Sequence, residues 1–292
     1  MHVVIVSIGT QGDLYPLLGI GRALKTRGHR VTVLANAYFE PAVQQAGLDF
    51  HSIGSARDYL SAVDEVADNT MRRLLFRHLF LGPMEPVYAY LSRLATDQAT
   101  VMLCNISALG ARLAHEKFGL PMISVNMGPM MFLSAYDPPL FSLTPYPKWI
   151  PRIGFKLAIF AGQQIFDFHL CKELNRFRKS IGLPSRRGVM RWMPSPQKII
   201  GLFPDWFASP QPDWPVKTEL TGFPLFDEGT LSETRLPQDL AEFLSVGDAP
   251  IIFTPGTPYK GYKEFFFQSR SCHLGPGPTG HFHYQVQGAV AP

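Results

Sequence analysis

The sequence predicts a doubly wound α/β domain on a parallel sheet, Rossmann-like, followed by the start of a second domain. Three observations predict it. From His2 to Met127 short apolar runs alternate with helical segments. The runs are rich in Val, Ile and Met with little polar alternation, the pattern of strands buried on both faces. The segments between them, such as PLLGIGRALKTRG and ALGARLAHEKFG, read as helices covering the sheet.

In order, HVVIVSI is a strand, PLLGIGRALKTRG a helix, HRVTVLA a strand, YFEPAVQQAG a helix and LDFHSI a strand. After a mixed region the alternation resumes with the helix MEPVYAYLSRLATDQ, the strand TVMLCNI, the helix ALGARLAHEKFG and the strand PMISVNM. Ligands of such sheets bind at the carboxyl ends of the strands, which directs attention to the loops after Ile8, Ala35, Ile106 and Met127. From Asn126 to Pro151 the chain is rich in Pro, Met and aromatics, suited either to a loop lining an apolar cavity or to an irregular excursion buried by its own aromatics. A helical stretch then runs to about Ile181 and stops at Gly182 and Pro184. IIGLFPDWFASPQPDWPVKTELTGFPLFDE starts as a strand and continues as a stiff, proline-punctuated linker. APIIFTPGTPYKG restarts the strand-and-turn pattern, with too few residues left for a further complete α/β domain. The expected organisation is 1–200 a Rossmann-like domain, 201–249 a linker and short helix, 250–267 the start of a second domain, and 268–292 a tail.

Composition narrows the function classes. The 292 residues are 46% hydrophobic, enough for a large core, and 27 basic against 23 acidic side chains leave a net charge of +4, too small and scattered for a nucleic-acid groove. Three cysteines, Cys104, Cys171 and Cys272, stand far apart without CxxC spacing, so neither a disulfide framework nor a zinc site is expected. A cytoplasmic location fits, and the apolar N-terminus lacks the basic start and cleavage site of a signal peptide. WIPRIGFKLAIFAGQQIFDFHL is interrupted by Arg152, Lys156, Gln163, Gln164 and Asp167 and should not span a membrane. An amphipathic helix packed on the protein is expected, with one lying on the inner face of the membrane as the alternative.

VSIGTQGDLYPLLGIGRALKTRGHRVTVLA looks at first like a nucleotide turn, yet its glycines are spaced GxxG and the second strand ends Ala35-Asn36 without an acidic residue. A nicotinamide-dependent oxidoreductase is therefore disfavoured, and Asp13 would repel a phosphate. Asp13, shortly before Pro16, can cap the following helix, or act as a general base at the edge of the sheet, or do both. His115, His281 and His283 lack partners at ligand or triad spacing, and no GxSxG, HExxH or P-loop occurs.

Together, IGTQGDLYPLLGIGRALKTRGHRVTVLA, LGARLAHEKFGLP, SPQKIIGLFPDWFASPQPDWP, LTGFPLFDE and IIFTPGT resemble the N-terminal half of a GT-B-fold glycosyltransferase, of the kind of the rhamnosyltransferase of rhamnolipid synthesis and the bacterial sterol and antibiotic-aglycone glycosyltransferases. The resemblance implies transfer of a hexosyl group, of rhamnose or glucose type, from a dTDP- or UDP-linked sugar to a hydroxyl of an apolar or lipid-like acceptor, with inversion and without a metal. It implies Asp13 as the base, Gly256 and Thr257 near the donor phosphates, and Gly12, Met127, Met130 and Phe132 in the acceptor loops. The His-x-Gly-Gly-type turn of the later donor-binding segment is missing, and SCHLGPGPTGHFHYQVQGAVAP departs from the family pattern. The expectation is a chain truncated by out-of-frame residues and inactive alone, or else a non-catalytic acceptor-binding module.

Overall fold

The computed structural model describes residues 1–66, 77–96, 99–138, 149–226 and 238–245. The chain divides into two units, Met1–Thr234 and Arg235–Pro292. The first is a seven-stranded sheet in the order β3-β2-β1-β4-β5-β6-β7, parallel at every pairing. Its strands are β1 His2–Val6, β2 Arg30–Ala35, β3 Asp49–Ser52, β4 Thr100–Asn105, β5 Met122–Asn126, β6 Lys198–Gly201 and β7 Thr218–Leu220. The α-helices are α1 Gln11–Thr26, α2 Glu40–Gln45, α3 Ala56–Val66, α4 Met84–Ser92, α5 Leu109–Phe118, α6 Arg152–Ser180 and α7 Val189–Trp192. The predicted doubly wound fold is what forms.

Side-chain alternation divides the core between the two faces of the sheet. Val3 and Ile5 of β1, Val31 and Val33 of β2 and Val125 of β5 pack with Leu14, Leu17 and Leu18 of α1. Val4 and Val6, Leu34, Met102, Cys104 and Met122 face the other way, against Val87 and Leu91 of α4 and Ala111 and Ala114 of α5. Because side chains alternate with period two, a one-residue slip of β1 would exchange these sets, so both cores fix the register. Helices α4 and α5 approach closely at Gly110, where a Cβ would lie 2.3 Å from the Met84 carbonyl oxygen.

A buried ion pair ties α5, α6 and α7 together. Arg178, with a side chain fully removed from solvent, donates from both terminal nitrogens to the two oxygens of Glu116, at 2.9 and 2.8 Å. Its Nε donates to the Pro184 carbonyl at 2.7 Å, and Trp192 Nε1 donates to Glu116 Oε2 at 2.9 Å. Glu116 is held well below the ordinary carboxylate range, at about 2, first by the Arg178 hydrogen bonds and, against the opposing effect of burial, by Trp192 and the nearby guanidinium charges. Its neighbour His115, without a partner at ligand or triad spacing in the sequence, meets the Leu120 carbonyl through Nδ1 at 2.8 Å.

Two expectations are corrected. The stretch from residue 201, read as a linker, belongs to the first unit as far as its last described residue, Phe226. It adds β7 beside β6 and contributes Phe203, Ala208 and Trp214 to a buried cluster, because its aromatics outweigh its prolines. The helix read as packed on the protein buries Leu170, Leu174 and Arg178 in its second half, whereas its first half keeps large apolar side chains outside. In the second unit the predicted short helix forms as α8, Gln238–Ser245.

Candidate functional site

The strand order reverses direction between β1 and β4, which makes the carboxyl edge of these two strands the expected ligand crevice. The loop that leaves β1 here is fixed from across the sheet. The buried side chain of Asn105, at the end of β4, accepts the Ile8 N–H at 3.4 Å and donates to the Ile8 carbonyl at 2.5 Å. One amide thus satisfies both backbone groups of a residue that has left the strand ladder.

Beyond Ile8 the chain turns into α1. Thr10 is the extended N-cap residue and Asp13 stands three positions later, so Asp13 is not itself the cap. Its Oδ2 accepts the Thr10 N–H at 2.8 Å and the Thr10 hydroxyl at 3.3 Å, the reciprocal half of a capping box. The capping expectation and the base expectation therefore fall on one carboxylate. Burial pushes the Asp13 carboxyl up from its ordinary value, opposed by the two Thr10 hydrogen bonds. A desolvated carboxylate at the positive end of a helix stays available as a base while gaining proton affinity.

Gly9 makes the room. Its φ is +140°, and a Cβ built on it would fall 2.2 Å from Asp13 Oδ2. Gly9→Ala should destabilise the protein by about 1–3 kcal/mol and displace the carboxylate. Urea denaturation checks the first effect. The second should show as a much smaller loss in an Asp13→Gly background, where no carboxylate remains to collide.

The other predicted residues divide. Gly12 is exposed beside Asp13 on the first turn of α1. Met127 packs against the α1 side of the core, and Met130 is about half exposed on the short turn Pro129–Phe132. Phe132, half-buried, gives one ring face to Trp214, stacked at 4.3 Å, which anchors the loop. Gly256 and Thr257 lie outside the described residues. Among the described residues no group of three or more His, Cys, Asp or Glu could hold a metal ion.

The structure adds residues that the sequence reading passed over. Asp213 holds the loop after Phe132 by accepting the Ser134 hydroxyl at 2.6 Å and the Ala135 N–H at 2.8 Å, just beyond Leu133 with its left-handed φ of 49°. Tyr59 of α3 stacks on Tyr38 at 4.6 Å and meets Phe39 edge-on at 4.9 Å. Its phenol is pushed up to about 12, chiefly by burial and then by the charges of Tyr38 and Asp13, so a neutral aromatic wall stands within electrostatic reach of the carboxylate. Asn126, ending β5, buries its side-chain oxygen without a hydrogen-bond partner, an unusual state for a buried polar atom. The repeated Pro-Asp-Trp unit was the signal for Asp213. Nothing local marks Tyr59 or Asn126.

Comparison with known proteins gives this geometry a context. The chain is 24% identical over 271 residues to the O-mycaminosyltylonolide 6-deoxyallosyltransferase of Streptomyces fradiae, covering 90% of this chain and 63% of that protein. It is 39% identical over 269 residues to a sterol 3-beta-glucosyltransferase of Arabidopsis thaliana, covering 86% of this chain and 40% of the relative. The chain thus spans less than two thirds of these relatives. Among solved structures it superposes on the spinosyn forosaminyltransferase with a TM-score of 0.53 at 14% identity, covering 91% of this chain and 60% of that one. A calicheamicin glycosyltransferase gives 0.50 at 15% identity, covering 76% and 51%. Residues 3–136 match the glycosyltransferase family 28 N-terminal domain.

Proposed function

We propose that this chain is the acceptor-binding side of an inverting glycosyltransferase. The observation that carries the reading is the desolvated Asp13 carboxylate at the switch point of the sheet, held by Thr10 and given space by Gly9. An acceptor hydroxyl gives its proton to Asp13 as its oxygen attacks the anomeric carbon of a nucleotide-activated hexose. The carbon–phosphate oxygen bond breaks on the opposite side, and the nucleoside diphosphate leaves with the electron pair. Tyr38 and Tyr59, stacked at 4.6 Å against the buried Phe39, supply an aromatic surface for an apolar acceptor.

The donor is proposed as a dTDP- or UDP-linked hexose, with Gly256 and Thr257 placed at its phosphates by the resemblance of IIFTPGT. Backbone amides and a hydroxyl are suited to a diphosphate leaving group. A transfer assay with the chain joined to a relative's donor-binding domain tests the reading. An α-linked donor should give a β-linked product by the anomeric proton coupling, and an α-linked product would overturn in-line displacement. The non-catalytic alternative predicts acceptor binding by calorimetry with no transfer in that fusion.

A further inference from the structure

The clamp around Glu116 gathers more positive charge than it neutralises. Arg178 donates to both Glu116 oxygens, and Arg186 comes within 3.8 Å of the same Oε1 that Arg178 meets at 2.8 Å. Arg112, one turn before Glu116 on α5, lies over the Trp192 ring at 5.1 Å, and Arg178 lies over that ring at 5.3 Å. Three guanidiniums thus share one carboxylate. The acidic side chains of α6 are committed elsewhere: Asp167 accepts the Gly188 and Val189 N–H groups, and Glu173 pairs with Arg176. Residues 181–192 carry Arg186, Arg187 and Arg191 and no acid at all.

The excess charge is also held in place. Arg112 Nε donates to the Trp192 carbonyl at 2.9 Å, whereas its terminal nitrogens find no acceptor among the described residues and stay open to solvent. Arg186 is fixed through its backbone, since the Asn175 amide accepts its N–H at 2.7 Å and donates to its carbonyl at 2.9 Å. Its side chain is 41% exposed. Burial disfavours the charged form of Arg112, against the pull of Glu116, and the charges of Arg186 and Arg178 disfavour it further. An added anion would relieve that state.

We propose that Arg112 and Arg186 bind a phosphate dianion, as the free ion or as a phosphate monoester, at the rim of the Glu116–Arg178 clamp. Charge and shape select this ligand. Two negative charges balance the surplus of the three guanidiniums over Glu116, and tetrahedral oxygens can take the terminal N–H edge of Arg112 and a fork from Arg186 together. A monocarboxylate brings half that charge. The site is separate from the Asp13 crevice: Asp13 stands where β1 leaves the carboxyl edge of the sheet, whereas Glu116 is in the last turn of α5, which returns the chain to the amino edge for β5. Binding there tightens the hold of α5 and α7 on α6, and it does not depend on the transferase reading.

The test is calorimetry of the full chain with inorganic phosphate, glycerol 3-phosphate and acetate, at about pH 8, where phosphate is doubly charged, and at constant ionic strength. Phosphate should bind saturably and acetate far more weakly. Tighter binding of inorganic phosphate assigns the site to the free ion, and tighter binding of glycerol 3-phosphate to a monoester. Arg112→Gln and Arg186→Gln should each weaken binding by about tenfold or more, through loss of a charge-assisted contact. Arg186→Gln keeps both backbone bonds to Asn175, so its urea midpoint without phosphate should match the wild type. Its loss of binding is then not a loss of fold, and this variant decides the matter if Arg112→Gln does not fold. Phosphate should raise the wild-type midpoint saturably and leave that of Arg186→Gln nearly unmoved. Absence of saturable binding would overturn the proposal, as would acetate binding equal to phosphate. Phosphate binding that survives Arg186→Gln undiminished would also overturn it, placing the anion elsewhere on the chain.

Discussion

Replacing Asp13 by asparagine should lower turnover by about 10²–10⁴-fold, the usual worth of a positioned general base, with acceptor affinity changed only a few-fold. The substitution is informative because it separates the two jobs of the side chain. An amide oxygen can still accept the Thr10 N–H that Asp13 Oδ2 accepts at 2.8 Å, so the capping contact survives. Burial now opposes the charged form, and a neutral side chain removes that opposition, so unfolding midpoints should stay level or rise slightly. Steady-state kinetics of the fusion with a donor-binding domain, paired with urea denaturation, reads both. Full activity in Asp13→Asn would return the residue to capping alone. A matched loss of activity and stability would mean that the carboxylate acts through the fold.

The second large effect concerns stability and lies away from the site. Arg178→Met leaves the Glu116 carboxylate with Trp192 and a distant Arg186 contact of 3.8 Å, and should cost about 3–5 kcal/mol. Glu116→Gln should cost a similar amount by stranding a fully buried guanidinium. The paired variant Glu116→Leu with Arg178→Met should recover much of the loss, since neither charge is then left unpaired. The sign of the pH dependence follows from the carboxyl. Its folded value is about 2 against an ordinary 4.5, so the unfolded chain binds more protons between these values. The contribution, on the order of 3 kcal/mol, is fully present above about pH 4.5 and is lost as the pH falls toward 2. Denaturant midpoints across that window should fall steeply in the wild type and much less in Glu116→Gln.

How far the sequence could be read follows from how each feature is encoded. Strands buried on both faces appear as unbroken apolar runs: HVVIV and RVTVLA were legible because nearly every residue in them is covered. Strand β7 was not, because three residues, TEL, at the edge of the sheet carry no period and owe their state to pairing with β6. Asp13 was legible as a residue at the turn between β1 and α1, and its cap position was misjudged because Thr10, not the aspartate, takes the extended conformation. The Glu116–Arg178 pair is 62 residues apart in sequence, and a contact of that range leaves no local mark. The stack of Phe132 on Trp214 was not legible either, because an aromatic in a Pro- and Met-rich loop carries no mark of a tryptophan eighty-two residues later.

The Glu116–Arg178 clamp also makes α6 a cantilever. The helix is gripped through Arg178 near its carboxyl end, and its first four turns bury no side chain fully. Backbone opening should therefore begin at the tip near Arg152 and die away toward Leu170, a gradient of local stability along one continuous rod. Torque applied at the tip would reach the body of the protein first at Asp167, which accepts the Gly188 and Val189 N–H groups, and then through Glu116 and Trp192.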